Sequence, residues 1–347
     1  MTNPSKEFWY YAHKGETLRE LAGNLETPSP IRLGARESFN RALELEPDNM
    51  WVIAHRGLVE RQLGNWDEAI KAFEKVKENS PGDPWAYAQL GETYRLKLAR
   101  TSISPQDPLA KKAIKNFDEA INQYENKEYL WAHAHLGATY FHIRELDKAL
   151  SHLDKAIDLA DKSYAWAWAY KAGVYYQQGK YVKARACMET AKDLDPRVIS
   201  SVGFQLALLT YLNGETDRAI ELFNRELQED VDNTLALYGI ALVTIRTKEV
   251  NEARSEIDKA LAALLEQDNS ATRYMLAALA YLQDQNDQAS EHIQSAIAAT
   301  DRIQDILESN EVSESIRQML INVQSGNLSW LGLDCDQGFQ DLISQAT

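Results

Sequence analysis

The sequence predicts an all-α solenoid of about eight helix-turn-helix repeats with a C-terminal helical cap, and three observations predict it. A set of small, aromatic and proline residues recurs along the chain at a spacing of 34. Gly (16) and Pro (9) are scarce among 347 residues that are 44% apolar, which excludes disordered and collagen-like chains. No stretch reaches the roughly 18–20 apolar residues of a membrane span, and no signal-peptide core is present. The chain is therefore expected to be soluble and cytoplasmic, with no membrane partner.

The elements follow in order. Residues 1–15, with Phe8, Trp9, Tyr10 and Tyr11, are expected to precede the repeats as an N-terminal segment. Gly23, Ala35, Phe39, Ala42 and Pro47 recur as Gly57, Ala69, Phe73, Val76 and Pro81, each displaced by 34 residues. Gly91, Ala113, Phe117 and Ala120 form the third set, and Gly137, Ala149, Leu153 and Ala156 the fourth. Ala172, Ala184, Met188, Ala191 and Pro196 complete a fifth. The pattern weakens in Ala207–Ala219–Phe223, Ala241–Ala253–Ile257–Ala260 and Ala277–Ala289–Ile293–Ala296. Repeats thus begin near 16, 50, 84, 130, 165, 200, 234 and 270, and span residues 16–303.

Each recurring residue has a physical role. Small side chains let two antiparallel helices approach closely, and the aromatic or aliphatic residue four further on fills the gap to the next hairpin. Proline ends the second helix because it has no amide donor and restricts the residue before it. Asp83-Pro84 reads as an N-cap followed by proline in the first turn. A single hairpin cannot bury its apolar face, so stability must come from stacking.

Two places depart from the pattern. Pro28 and Pro30 are expected to shorten the first helix of repeat one. Repeat three carries extra residues around 97–110, a locally basic stretch that reads either as a tolerated loop or as a partner contact. Beyond 303 the pattern stops. Short helices at 312–323 and 335–345 are expected to cap the last repeat as residues 304–347, with Trp330, Leu331 and Leu333 buried.

The pattern resembles the tetratricopeptide repeat, most fully at Leu90-Gly91-x-x-Tyr94 and Leu136-Gly137-x-x-Tyr140. The resemblance implies a right-handed α-α superhelix in which the first helix of each repeat lines a concave groove. It also implies that the second, fifth, sixth, ninth and twelfth positions of that helix touch an extended peptide. The second position is Trp51, Trp85, Trp131 and Trp166 in four successive repeats, and the sixth holds His55, Gln89, His135 and Tyr170. Arg61, Gln62, Glu92, Arg95, His142 and Gln177 lie further along the stripe. Aromatic rings offer contact area at low entropic cost, while His and Gln pair with peptide amides and carbonyls. A stripe at helical spacing also reads as core, so the tryptophans are either groove or packing. In the later repeats the aromatic moves to the fifth position (Phe204, Tyr238, Tyr274), which points to a different lining and a second ligand segment.

No catalytic site is expected. There is no phosphate-cradling glycine loop, Gly-x-Ser-x-Gly elbow or His-Glu-x-x-His. His133, His135, His142 and His152 fall in repeat four, but His133 and His135 point to different sides of a helix. His135 and His142 are about 10 Å apart along the axis, so neither pair chelates an ion and no metal or other cofactor is expected. Cys187 and Cys335 have no partner at metal or redox spacing, consistent with a reducing compartment.

The net charge of −15 is unevenly placed. Residues 200–347 hold 24 acids against 9 bases, whereas residues 1–199 hold 28 of each. The acidic half repels phosphates, which argues against nucleic acid as a partner. It reads either as a solubility device or as a docking face for a basic segment of a protein partner. The functional expectation is a non-catalytic scaffold or adaptor binding a partner polypeptide in the groove. A regulatory receptor for a short signalling peptide is the alternative.

Overall fold

The computed structural model describes residues 5–23, 30–99, 105–196, 198, 202–247, 250–300, 303, 320, 323, 328, 331–333 and 336–346. Among them there is no strand, and no helix is long and apolar enough to cross a membrane. The chain is an all-α repeat solenoid, divided into two compact units, residues 1–162 and 163–347.

The first unit stacks four hairpins: α1 (Lys6–Gly23) on α2 (Pro30–Leu45), α3 (Met50–Gln62) on α4 (Trp66–Asn79), α5 (Pro84–Leu98) on α6 (Pro108–Gln123), and α7 (Leu130–His142) on α8 (Leu146–Leu159). The second unit repeats the plan. It pairs α9 (Ala165–Gln177) with α10 (Tyr181–Leu194), α11 (Val202–Leu212) with α12 (Thr216–Glu229), α13 (Thr234–Thr247) with α14 (Val250–Gln267), and α15 (Ser270–Leu282) with α16 (Asn286–Ala298). A last helix, α17 (Gln337–Ala346), packs on α16. Within each unit the second helix of a hairpin also packs on the first helix of the next, so the first helices after α1 and α9 are wrapped on two sides. Second helices keep one apolar stripe, as in α4, where only Ala69, Ala72, Phe73 and Val76 are buried.

Local chemistry sets the helix starts. Asp83 accepts from the Trp85 amide at 2.9 Å ahead of Pro84, as its sequence signal implies. Asp107 does the same for Leu109 at 2.7 Å ahead of Pro108, which ends the repeat-three insertion. Residues 100–104 of that insertion lie outside the described residues, but Leu98 and Ala110 on its two sides share a small buried cluster with Ile143. Between α3 and α4 the chain turns through Gly64 at φ +79°, a conformation that glycine adopts without a Cβ penalty.

Phe39, Phe73 and Phe117 are fully buried, each against a glycine of the partner helix. A Cβ on Gly57 would sit 3.0 Å from the Phe73 ring, and one on Gly91 2.8 Å from Phe117. In the first hairpin this close approach falls at Gly15, whose Cβ would lie 2.8 Å from Phe39. The packing glycine of repeat one is therefore Gly15 rather than Gly23. The first helix is not shortened by proline either. It runs 18 residues, and Pro30 opens α2, where its missing amide would have had no intrahelical partner. Pro28 lies outside the described residues.

At the other end, Trp330, Cys335 and most of 312–323 lie outside the described residues. Leu331 and Leu333 are buried as expected, but in the apolar cluster that includes Leu208, Tyr238 and Leu242 of α11 and α13. α17 packs on the last hairpin through Phe339, whose ring lies tilted at 5.3 Å from that of Tyr281.

Candidate functional site

The register set by Gly15 places Trp9 and His13 where Trp51 and His55 stand in the next hairpin. In the first unit Trp9–His13, Trp51–His55 and Trp131–His135 each lie four residues apart on one helix face. Their ring centroids are separated by 5.3, 4.1 and 4.0 Å respectively. Trp85 and Gln89 occupy the same places in α5. Trp9 and Trp51 are about two-fifths exposed, while Trp85 and Trp131 are half-buried. Each of the last three also meets the phenylalanine of the preceding hairpin: Trp51 with Phe39 at 6.3 Å, Trp85 with Phe73 at 5.9 Å, and Trp131 with Phe117 at 6.2 Å. The tryptophans therefore serve as packing on one side and as surface on the other.

A polar ladder runs beside them and links each first helix to the next. Arg19 grips Glu16 with Nε and Nη2, both at 2.7 Å, and His55 Nδ1 reaches Glu16 Oε2 at 2.7 Å. Arg61 Nη1 donates to Gln89 Oε1 at 2.8 Å. Arg95 grips Glu92 with Nε and Nη2 at 2.7 Å, and His135 Nδ1 meets Glu92 Oε2 at 2.8 Å. The first and third links are the same constellation, repeated two hairpins apart.

Burial opposes ionisation of Glu92, yet the Arg95 guanidinium and His135 hold its carboxyl far below the usual carboxylate range. Burial pushes His135 down and keeps it neutral, against the pull of Glu92. A neutral His135 therefore donates its Nδ1–H to an ionised Glu92. Glu16 and His55 shift in the same directions for the same reasons, in a less buried setting. Arg61 is pushed down by burial, partly offset by Glu92.

The predicted residues thus fall into two groups. Gln89, Arg95 and His135 are buried and tied into the ladder. Trp51, His55, Trp85, Trp131 and His142 are partly or more exposed. In the second unit the Trp166 and Tyr170 rings meet at 4.2 Å in a tilted arrangement, and Gln177 ends α9, all three half-buried. Phe204, Tyr238 and Tyr274, expected as a different lining, are buried. Trp9 and His13 escaped the sequence reading because Gly23 set the register of repeat one. The repeated Trp-x-x-x-His at 9–13, 51–55 and 131–135 was the signal that would have found them.

Two further histidines, His133 and His152, form a closed pair. His133 Nε2 donates to the Lys127 carbonyl at 3.1 Å, which leaves its Nδ1 to accept from His152 Nδ1 at 3.1 Å. Burial and the neighbouring His133 push His152 down to about 4. Among the described residues no three His, Cys, Asp or Glu side chains converge as metal ligands.

Stacked hairpins with small residues at their crossings and a ladder along their first helices define a helical-repeat interaction fold. Models described as tetratricopeptide repeat match residues 33–84 and 165–198. The chain is 26% identical over 264 residues to a TPR repeat-containing protein of Methanocaldococcus jannaschii. That match covers 73% of this chain and 39% of the relative, so the chain spans well under half the relative's length. A tetratricopeptide repeat protein from Parabacteroides merdae superposes with a TM-score of 0.52 at 14% identity, covering 93% of this chain and 100% of that one. The type IV pilus biogenesis factor PilW superposes at 0.53 and 14% identity, covering 66% and 96%. The chain carries tetratricopeptide repeats at residues 33–84 and 165–198, within a fold of stacked helical hairpins.

Proposed function

We propose that the chain is a non-catalytic scaffold or adaptor that holds a partner polypeptide along the first-helix face of its first unit. Trp9, Trp51, Trp85 and Trp131 form the contact surface, with His55, Gln89, Arg95, His135 and His142 beside them. The observation that carries this reading is the division of labour on that face. The charged groups satisfy one another through Glu16–Arg19–His55 and Glu92–Arg95–His135, which leaves aromatic rings as the surface on offer. Such a face favours an extended segment with apolar side chains over a strongly charged one, because no uncompensated clamp awaits a carboxylate. In the second unit Trp166, Tyr170 and Gln177 extend the proposal to a second face of the same kind. The acidic surface of residues 200–347 would add attraction for a basic flank of the partner.

The test is a native-lysate pull-down with the full chain beside a Trp9→Ala, Trp51→Ala variant, followed by tiled peptides of any protein retained. A partner lost by the variant, with a cooperative melt preserved, supports the reading. A partner retained equally by both chains removes the site from this face.

A further inference from the structure

On α11 and α13 of the second unit the corresponding face is already covered. Phe204, Leu208, Tyr238 and Leu242 stand where a ligand would lie, yet none is more than 3% exposed. Over Leu208, Tyr238 and Leu242 part of the cover is the chain's own Leu331-Gly332-Leu333. Tyr238 donates its hydroxyl to the Leu331 carbonyl at 2.7 Å, and both leucines join the cluster formed by those side chains. Gly332, at φ +73°, lies so close that a Cβ would be 2.9 Å from Leu208 Cδ1 and 3.1 Å from Leu242 Cδ2. Three residues after Leu333, Asp336 accepts from the Tyr281 hydroxyl at 2.6 Å and lies 3.5 Å from Arg246 Nη2.

We infer that this face is a segment-binding site whose resident occupant is Leu331-Gly332-Leu333 together with Asp336. It accepts from a partner protein a segment of the same chemistry, Leu-Gly followed by leucine or a larger apolar residue and, three residues further on, a carboxylate, in exchange for that strap. Every contact that holds the strap is one a partner segment could make. Tyr238 reads a main-chain carbonyl, the crossing at Leu208 and Leu242 demands glycine, and Tyr281 with Arg246 receives an acid. A cavity of about 290 Å³ remains between Leu333, Tyr176, Tyr181 and Leu212. That room is left unused by the resident leucine and would hold a larger side chain of the incoming segment. Such a gain matters, because a tethered occupant competes at an effective concentration on the order of millimolar.

The experiment uses the full chain and a fluorescent synthetic peptide of residues 328–339. Gly332→Val in the chain forces its own strap off Leu208 and Leu242. The variant is expected to bind the peptide at least about tenfold more tightly than the unaltered chain, by removal of the tethered competitor. The same peptide with valine for its glycine is expected not to bind. A folded Gly332→Val chain that gains no affinity overturns the inference. Hydrogen exchange on the unaltered chain decides the matter if the variant does not fold. Amides of 331–333 that exchange well before those of α13 support exchange of the strap, and equal protection overturns it. Either result leaves the Trp9 and Trp51 test untouched, since that test reads residues of the other unit.

Discussion

His135 donates its Nδ1–H to Glu92 across two first helices at 2.8 Å, and His55 makes the same bond to Glu16 two hairpins earlier at 2.7 Å. The pairs differ chiefly in burial, because Glu92 and His135 are enclosed and Glu16 and His55 are partly open. Removing His135 takes one hydrogen bond from a buried carboxylate that Arg95 continues to hold. His135→Ala is expected to cost about 1–3 kcal/mol in denaturant unfolding, and His55→Ala clearly less. Equal costs would show that the His135 bond adds nothing to the ladder beyond packing.

Sequence reasoning reached the repeats because small residues and phenylalanines are dictated by helix approach, as Gly57 with Phe73 and Gly91 with Phe117 illustrate. It misplaced the first hairpin, where a longer first helix shifts the packing glycine to Gly15. The Trp stripe was legible as a periodicity, but its double role was not, because the phenylalanine behind Trp51, Trp85 and Trp131 belongs in each case to another hairpin. The Glu92–His135 bond spans 43 residues, and nothing in either local sequence announces it. The strap at 331–333 was legible as buried leucines. Its place on α11 and α13 depended on a chain path that spacing does not encode.

Acid should weaken the first unit through its histidines. Burial lowers His55, His133 and His135, and His152 falls from 6.5 to about 4. The unfolded chain then binds protons at a pH where the folded one does not. The stability these groups allow is complete above about pH 6.5 and declines as pH falls toward 4. Glu92, held low, adds a loss of the same sign below the ordinary carboxylate range. His152→Gln is expected to flatten the decline between pH 6.5 and 4 in thermal melts followed by circular dichroism. An unchanged slope would show that the His133–His152 pair is hydrated and titrates normally.

The register of the first hairpin has its own test. Gly15→Val and Gly91→Val each place methyl groups against a fully buried phenylalanine ring less than 3 Å from the new Cβ. Both are expected to lose about 1–3 kcal/mol by overpacking. A tolerated Gly15→Val beside a damaging Gly91→Val would return the close approach in repeat one to another residue.

Arg61 and Gln89 separate the cost of a buried charge from the worth of its bond. The guanidinium packs 5.8 Å from the Phe73 ring centre and donates to Gln89, while burial pushes it below the ordinary arginine value. Gln89→Ala removes the acceptor and leaves the charge in place, and should cost about 1–3 kcal/mol. Arg61→Met removes the charge but keeps an apolar stem on Phe73, so it should be neutral or mildly stabilising. Urea midpoints of the two variants give the comparison. If Arg61→Met is the more damaging, the attraction of Glu92 for Arg61 outweighs its burial, and the ladder is held together by charge rather than by hydrogen-bond satisfaction.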